Sequence, residues 1–149
     1  MRPKTEFGFT LLEVLMALAI ISILAVVAIP YYQDYRTRVK VAGEFGLVEP
    51  VKQRVTEEYF LTGDWPVDNE SAMVGPFDRY KGNYLKAIIV ENKPQPGAVK
   101  LIYDSSKLPA LGDNNTIVFY PRTENGGGSV SWKCDEGNMV DDYRPRQCR

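Results

Sequence analysis

Hydrophobic residues are concentrated near the N-terminus of this chain. From Phe9 to Pro30 there are 22 residues with one charged side chain, Glu13, and from Val14 to Ile29 none is charged. A bilayer core requires about 20 apolar residues of a helix rising 1.5 Å per residue, so this segment is long enough to span a membrane once. The remaining chain is more polar and holds most of the proline and glycine, which predicts a water-soluble head of roughly a hundred residues.

The next segment, residues 31–61, has the period of an amphipathic helix. Apolar residues recur at helical spacing, with charged residues between them, at Val48, Val51, Val55 and Tyr59. This spacing predicts a helix with one face packed on a core. Pro30 and Pro50 each remove a helical hydrogen bond and predict kinks. We expect one long kinked helix from Phe9 to about Leu61, of about 80 Å; the alternative is that the two prolines end two separate helices.

The remaining residues predict a sheet. Residues 62–83 are rich in glycine and proline and have no period, which indicates a long loop. Short segments rich in β-branched and aromatic residues follow, at Tyr84–Glu91, Ala98–Tyr103, Thr116–Tyr120 and Ser129–Cys134. Turn sequences at 92–97 and 126–128 join the first two and the last two as hairpins. The pattern predicts an α+β fold, with the long helix packed on a four-stranded antiparallel sheet.

Composition and charge argue against an enzyme. The 149 residues carry 18 Lys and Arg against 19 Asp and Glu, so there is no broad attraction to nucleic acid or anionic lipid. There is no histidine. That removes the commonest general base, the commonest zinc ligand and every Ser-His or Cys-His nucleophile pair. We therefore predict no catalytic residues, no metal site and no cofactor.

The charge of Glu13 separates three interpretations of the apolar segment. A secretory signal peptide would be cut after a small residue such as Ala25 or Ala28, and its apolar region has no reason to contain glutamate. If the segment is a plain membrane anchor, the Glu13 carboxylate lies in or near hydrocarbon, which costs considerable free energy. If the segment is a helix that assembles with other copies, the Glu13 carboxylate can pair with a positive group of a neighbouring copy.

The residues around Glu13 resemble a known processing signal. Gly8-Phe9-Thr10-Leu11-Leu12-Glu13-Val14, behind a short basic leader of residues 1–8, is similar to the class III signal of type IV pilins and pseudopilins. The resemblance implies that a prepilin peptidase in the inner membrane cleaves between Gly8 and Phe9 and then methylates the new amine of Phe9. Glu13 lies four residues later, on the same side of a helix that includes both residues. In a filament, Glu13 of one subunit would pair with the Phe9 amine of its neighbour and fix the axial register.

Two further segments resemble the same family. Residues 30–36 look like the Pro-x-Tyr-x-x-Tyr stretch of these pilins, and Pro50 matches a second helix-bending proline. Near the C-terminus, Cys134 and Cys148 lie in the Trp-x-Cys and Tyr-x-Pro-x-x-Cys patterns of the disulfide loop of type IVa pilins. The resemblance implies that they are paired, which closes a loop worth about 3 kcal/mol in the chain-entropy model.

The loop between the two cysteines is rich in charge. Its four carboxylates lie among basic residues that could contact phosphate, namely Lys133, Arg144, Arg146 and Arg149. One interpretation is a solvated surface loop. The other, which the resemblance implies, is a contact surface for host receptors, DNA or neighbouring subunits.

Together these features predict a structural subunit of type IV pili of the N-methylphenylalanine class. The expected organisation is a leader (1–8), a transmembrane and filament-core helix (9–30), its amphipathic continuation (31–61) and a head (62–149). The resemblance implies a precursor in the bacterial inner membrane, and extraction by the pilus assembly machinery into a helical homo-oligomer outside the cell. It also implies adhesion, twitching motility and DNA uptake. The alternatives are a minor pilin, a pseudopilin of type II secretion, or a secreted binding domain with an ordinary signal peptide.

Overall fold

The computed structural model describes residues 9–124 and 128–149. The leader, its cleavage position at Gly8 and part of the predicted glycine turn at 126–128 therefore lie outside the described residues. The chain divides into two compact units, one that ends at Gln33 and one that comprises Asp34–Arg149. Each unit is described by itself.

Two α-helices and a 3₁₀ turn replace the single helix expected from Phe9 to Leu61. Helix α1 is Leu11–Gly43, the 3₁₀ turn is Glu44–Leu47 and helix α2 is Glu49–Thr62. The turn before Pro50 is of the 3₁₀ type, and the Val48 N–H bonds to the Phe45 carbonyl at 3.1 Å. Pro50 lies in the first turn of α2, where its missing N–H has no helical partner in any case. The α-helix is thus interrupted at Glu44–Leu47 and begins again at Glu49, with Pro50 in its first turn.

Four antiparallel strands form one sheet in the order β1-β2-β3-β4. The strands are Leu85–Glu91, Ala98–Tyr103, Thr116–Glu124 and Ser129–Glu136. The helices and this sheet confirm the predicted α+β fold.

The last two strands are longer than the sequence pattern predicted. Strand β3 was expected to end before Pro121, but Pro121 pairs with Trp132 of β4. The Pro121 carbonyl accepts a hydrogen bond from the Gln95 side chain, on the side away from β4. In a strand the N–H and carbonyl of one residue point to the same side, so the absent N–H also faces away from β4. Strand β2 pairs with β3 only as far as Phe119, and no ladder bond is therefore lost.

One face of the sheet packs on the valine stripe of the helices. Val41, Val48, Val51 and Val55 have no exposed surface, and they join one core with the inward side chains of the strands, among them Val99, Leu101, Tyr103, Ile117 and Phe119. The Tyr103 hydroxyl donates to the Val41 carbonyl at 3.1 Å. Burial, with a smaller effect of Glu44, raises the pKa of Tyr103 far above its usual range. The predicted amphipathic face of α2 is confirmed.

A buried carboxylate holds the 3₁₀ turn against the loop before β1. Glu44 is 7% exposed, and its Oε1 accepts the Tyr84 N–H at 2.9 Å. The backbone of Gly82 passes so close that a Cβ there would overlap Glu44 Oε2. Glycine is therefore required at position 82, because the Glu44 carboxylate occupies the place of a Cβ.

The free edge of β1 is capped by the loop that precedes the sheet. The Asn69 side-chain oxygen accepts the Val90 N–H at 2.6 Å, and the Phe77 carbonyl accepts the Ile88 N–H at 3.1 Å. Asn69 also donates to the Gly75 carbonyl at 3.1 Å. Although residues 63–84 contain no helix or strand, they are tied to the sheet by these bonds.

The C-terminal loop is organised by a disulfide and by a buried arginine. Cys134 and Cys148 are joined. Arg144 is 6% exposed, and its guanidinium donates to three backbone carbonyls at 2.7–2.8 Å, those of Asp135, Gly137 and Met139. All three acceptors lie inside the disulfide loop, so the buried cation fixes the path of the loop from within.

The same loop is also held on the second unit's part of α1. Arg38 donates through Nε to the Asp142 carbonyl at 2.8 Å, and the Tyr143 hydroxyl donates to Asp34 at 3.3 Å. Desolvation and the neighbouring Asp34 carboxylate raise the pKa of Tyr143. The loop is thus supported from the helix as well as from the sheet.

We predict that Gly82→Ala lowers the free energy of unfolding by about 1–3 kcal/mol, because the new methyl group must displace a buried carboxylate and break its bond to the Tyr84 N–H. Gly43→Ala is the matched control, since a Cβ there meets nothing within 4 Å and alanine is the better helix former. Urea unfolding of the detergent-solubilised chain, followed by tryptophan fluorescence, measures both. Equal effects of the two substitutions would contradict the close approach.

We predict that Arg144→Met destabilises the head by about 3 kcal/mol or more, because three carbonyls lose a charged donor and are left without it in a buried site. Arg146→Met, two residues later on an exposed side chain, should change stability by no more than about 0.5 kcal/mol. The same unfolding experiment, with the disulfide intact, compares them. A small effect at Arg144 would show that the disulfide alone organises the loop.

Candidate assembly site

Helix α1 begins with a side-chain cap just before its apolar segment. The Thr10 hydroxyl accepts the Glu13 N–H at 3.3 Å, and α1 starts at Leu11. Glu13 is the third helical residue, where the helix dipole favours a negative charge. The Thr-x-x-Glu spacing is that of a capping box, a local signal in the sequence that places the start of the helix after Phe9.

Phe9 precedes the helix and is 82% exposed. The motif predicted that Phe9 and Glu13 lie one turn apart within the same helix, whereas in the structure only Glu13 is helical. Both residues nevertheless lie at the N-terminal end of α1, within about one helical turn of Thr10 along the chain.

The apolar residues of α1 have almost no cover from their own chain. Large hydrophobic side chains from Leu11 to Ile29 are 47–81% exposed. Leu11–Leu47, within the described residues, is a helical stretch long and apolar enough to cross a membrane. A surface of this kind is stable only in lipid or against similar helices.

The few polar side chains of this segment are not equivalent. The Ser22 hydroxyl donates to the Leu18 carbonyl at 2.7 Å, and so is satisfied inside the helix. Within residues 9–124 and 128–149, the Glu13 carboxylate forms no ion pair. Glu13 is therefore the one charge of the apolar segment that is available for a partner outside the described chain.

Pro30 lies inside α1, which continues through it to Gly43. Its absent N–H leaves the carbonyl four residues earlier without its helical donor. Three tyrosines that follow within two turns, at positions 31, 32 and 35, are 60–74% exposed.

The C-terminal loop presents fewer cations than the sequence suggested. Arg144 was predicted as a possible phosphate contact, but its guanidinium is buried and bonded to backbone carbonyls, so this assignment is wrong. Arg149 donates to the Arg144 carbonyl at 3.2 Å. The exposed cations Lys133, Arg146 and Arg149 share residues 133–149 with four exposed carboxylates.

One of these carboxylates, Asp135, accepts the Tyr120 hydroxyl on the outer face of the sheet at 2.7 Å. That hydrogen bond is the main cause of a lowered pKa of Asp135 and of a raised pKa of Tyr120. Between the two cysteines four carboxylates are exposed against one exposed cation, Arg146, so the loop surface is acidic overall. It has no basic stripe of the kind that binds nucleic acid.

Family models match almost the whole chain. Residues 37–149 match the model of pilin, a bacterial filament protein, and residues 3–29 match the prokaryotic N-terminal methylation motif. The second match includes Gly8, Phe9 and Glu13 and continues to the end of the apolar segment.

Curated relatives agree with both models. The chain is 39% identical over 129 residues to the type IV major pilin protein PilE of Neisseria gonorrhoeae, covering 87% of this chain and 74% of the relative. It is 38% identical over 129 residues to a fimbrial protein of Neisseria meningitidis serogroup B, covering 87% and 72%. It is 34% identical over its full 149 residues to the fimbrial protein EcpC of Eikenella corrodens, covering 94% of that relative. The chain belongs to the pilin family of bacterial filament proteins.

Proposed function

We propose that this pilin is the major subunit of a type IV pilus and that it polymerises through the apolar part of α1. The observation that carries the proposal is an uncovered apolar helix with a single available carboxylate at its start, joined to a folded head. Membership of the family makes the chain a structural protein and not an enzyme.

The route to the filament begins in the inner membrane, where the apolar segment holds the precursor with its head outside the cytoplasm. Prepilin peptidase cleaves between Gly8 and Phe9 and methylates the Phe9 amine. Methylation leaves that amine able to carry a proton, so its positive charge is kept. The assembly machinery then transfers the subunit from lipid into the base of the growing fibre, and the heads form the surface of an extracellular filament.

A charge pair can determine how the helices align within this fibre. When a helix moves from lipid into a helical bundle, one apolar environment replaces another, so hydrophobic burial changes little. The Phe9 amine and the Glu13 carboxylate of neighbouring subunits then contribute a directional attraction in a medium that screens charge poorly. Every misaligned register leaves at least one of the two charges without a partner, which is costly in such a medium.

The finer roles are part of the same proposal. The fibre would support adhesion to surfaces, twitching motility by retraction, and uptake of DNA. The acidic surface of the C-terminal loop argues against direct capture of DNA by this loop. The relatives named above are a major pilin and fimbrial proteins, which supports a major subunit over a minor pilin or a pseudopilin of type II secretion.

Intact-mass and N-terminal analysis of filaments sheared from the native cell surface should give one abundant species. It should begin at Phe9, carry one added methyl group and contain the Cys134–Cys148 disulfide. A mature chain found only in membranes, or as a trace component of fibres, would indicate a pseudopilin or a minor pilin. A soluble chain that begins after Ala25 or Ala28 would overturn the filament proposal.

We expect Glu13→Gln to abolish or strongly reduce filaments while leader removal and the amount of membrane-bound subunit stay unchanged, because glutamine keeps the size of the side chain but removes its charge. Electron microscopy of the cell surface and immunoblots of membrane fractions measure the two quantities. Glu136→Gln, an exposed carboxylate at the end of β4, is the control and should assemble normally. Normal filaments with Glu13→Gln would exclude the charge pair.

A further inference from the structure

The first half of the C-terminal loop is attached to the start of β3 by bonds that involve neither cysteine. The Asn138 side-chain oxygen accepts the Thr116 N–H at 2.9 Å and the Thr116 hydroxyl at 2.7 Å, and the Asn138 amide donates to the Asp113 carbonyl at 2.9 Å. The Met139 N–H donates to the Thr116 carbonyl at 3.0 Å, and the Met139 side chain is buried in the core. These contacts fix residues 138 and 139 against the sheet.

Gly137 allows the loop to approach β3 this closely. Its φ is 107°, in the left-handed region that favours glycine. A Cβ there would lie 2.5 Å from the Thr116 carbonyl oxygen and 2.9 Å from the Ile117 Cα, both of them backbone atoms. The residue type at position 137 is therefore dictated by the contact between the loop and β3, which does not involve the disulfide.

The second half of the loop is attached to α1 and to the first half. The bonds at Asp142 and Tyr143 described above hold it on α1. The buried Arg144 guanidinium then bonds back to carbonyls of the first half, and the Arg144 carbonyl accepts a hydrogen bond from Arg149 Nε at 3.2 Å. Residues on both sides of Cys148 are thus held by polar contacts.

The contacts of Cys148 include several that do not require the sulfur–sulfur bond. Cys148 follows Arg144 by four residues, and its N–H donates to the Pro145 carbonyl at 2.9 Å in a short 3₁₀ turn. Its side chain has no exposed surface and lies in the same core as Cys134 and Met139. A free thiol packs in a core as a small apolar group. The contacts that place Cys148 beside Cys134 are therefore available to the reduced chain.

We propose that Arg144 and Asn138 shape the C-terminal loop before the disulfide exists, and that they thereby position Cys148 for oxidation within its own chain. The disulfide then closes a loop that is already formed. This inference concerns a single chain and does not require filaments. Its consequence for a crowded membrane pool of subunits does rest on the proposed function.

Oxidation of the two cysteines requires an external disulfide as the electron acceptor. The thiolate of one cysteine attacks that disulfide, forms a mixed disulfide and releases one external thiol. The thiolate of the other cysteine then attacks the protein sulfur of the mixed disulfide and releases the second external thiol. The two cysteines lose two protons and two electrons, and the external disulfide gains them. The second attack depends on how often the two protein sulfurs are within reach, and a preformed loop raises that frequency.

A neighbouring subunit offers a competing thiol for the second attack. Each chain has two cysteines, so copies that lie close together in a membrane can be linked to one another instead. A flexible loop gives its two ends an effective concentration only in the mM range, roughly that of a crowded neighbour. A preformed loop raises the effective concentration in proportion to the fraction of chains in the competent shape. Oxidation then stays within the chain.

Equilibration of the detergent-solubilised full chain with mixtures of reduced and oxidised dithiothreitol measures this effective concentration. Arg144→Met should lower it by about tenfold or more, because fewer reduced chains have the competent loop. Asn138→Ala should lower it as well, because it removes side-chain bonds to β3. Arg146→Met, at an exposed side chain two residues after Arg144, is the control and should change it by less than about threefold. Wild-type values in both Arg144→Met and Asn138→Ala would overturn the positioning role.

A cysteine-free chain tests the loop without thiol chemistry, and it also covers the case in which Arg144→Met unfolds the head. In Cys134→Ala combined with Cys148→Ala, amide hydrogen exchange of residues 137–145 should stay within about tenfold of the wild-type rate, with the strands as internal reference. Exchange of these residues at the rate of an unstructured peptide, while the strands stay protected, would overturn the preformed loop. Loss of protection in the strands as well would show that the head folds only with its disulfide, and would overturn it equally.

Non-reducing gels of cell membranes test the consequence for the membrane pool. Arg144→Met should give disulfide-linked dimers that the wild type and Arg146→Met do not give. Monomers alone in all three chains would overturn the role of the loop in preventing links between subunits. Absence of the wild-type chain from both membranes and filaments would instead overturn the proposed function, while the dithiothreitol equilibrium of the isolated chain would still decide the loop.

Discussion

The first half of α1 presents apolar side chains that their own chain does not cover, and the rest of this pilin depends on that constraint. The segment must lie in lipid or against copies of itself, and both environments are poor in groups that can solvate a charge. Glu13 is therefore tolerable only near a membrane surface or beside a positive partner. In the proposed route, removal of the leader after Gly8 would create such a partner at Phe9, and processing and assembly would then be coupled through one electrostatic requirement. Thr10 and the helix dipole stabilise the same end of the helix in the single chain.

In the head, long irregular segments are held in fixed positions by hydrogen bonds from polar side chains. Polar side chains there bond to backbone groups of other segments, among them Glu44 to the Tyr84 N–H, Asn69 to the Val90 N–H and Arg144 to carbonyls of the C-terminal loop. Each is placed where unsatisfied backbone groups would otherwise be buried or left at a sheet edge. A loop fixed in this way can present exposed side chains without losing its shape, and residues 73–77, with Met73 and Phe77 exposed, are an example.

The sequence was sufficient for what depends on local periodicity and local chemistry. The valine spacing of α2, the four strands, the apolar segment and the motif around Glu13 all have signals within a few residues. The hydrogen bonds of Glu44 and Asn69 have no such local signal, because the partner of Glu44 is 40 residues away and that of Asn69 is 21 residues away. The prediction for Arg144 was wrong for a related reason, since an arginine in an acidic loop has the same local pattern whether it faces solvent or the loop's own carbonyls. The end of β3 was predicted too early because proline usually ends a strand. Only the register with β4 shows that the N–H that Pro121 lacks would not have bonded to a neighbouring strand.

Two kinds of contact in one fibre would have different physical properties. A contact between apolar helices is non-directional apart from its charge pair, so helices can shift past one another at low cost once the pair is broken. Contacts between heads face water, where hydrophobic burial supplies a driving force that the helices lack after they leave lipid. The helices would thus determine which axial registers are allowed, and the heads would supply much of the free energy that stabilises the chosen register. Such a fibre would lengthen and shorten at its base, because the transfer of each subunit exchanges lipid for other apolar helices and so changes hydrophobic burial little.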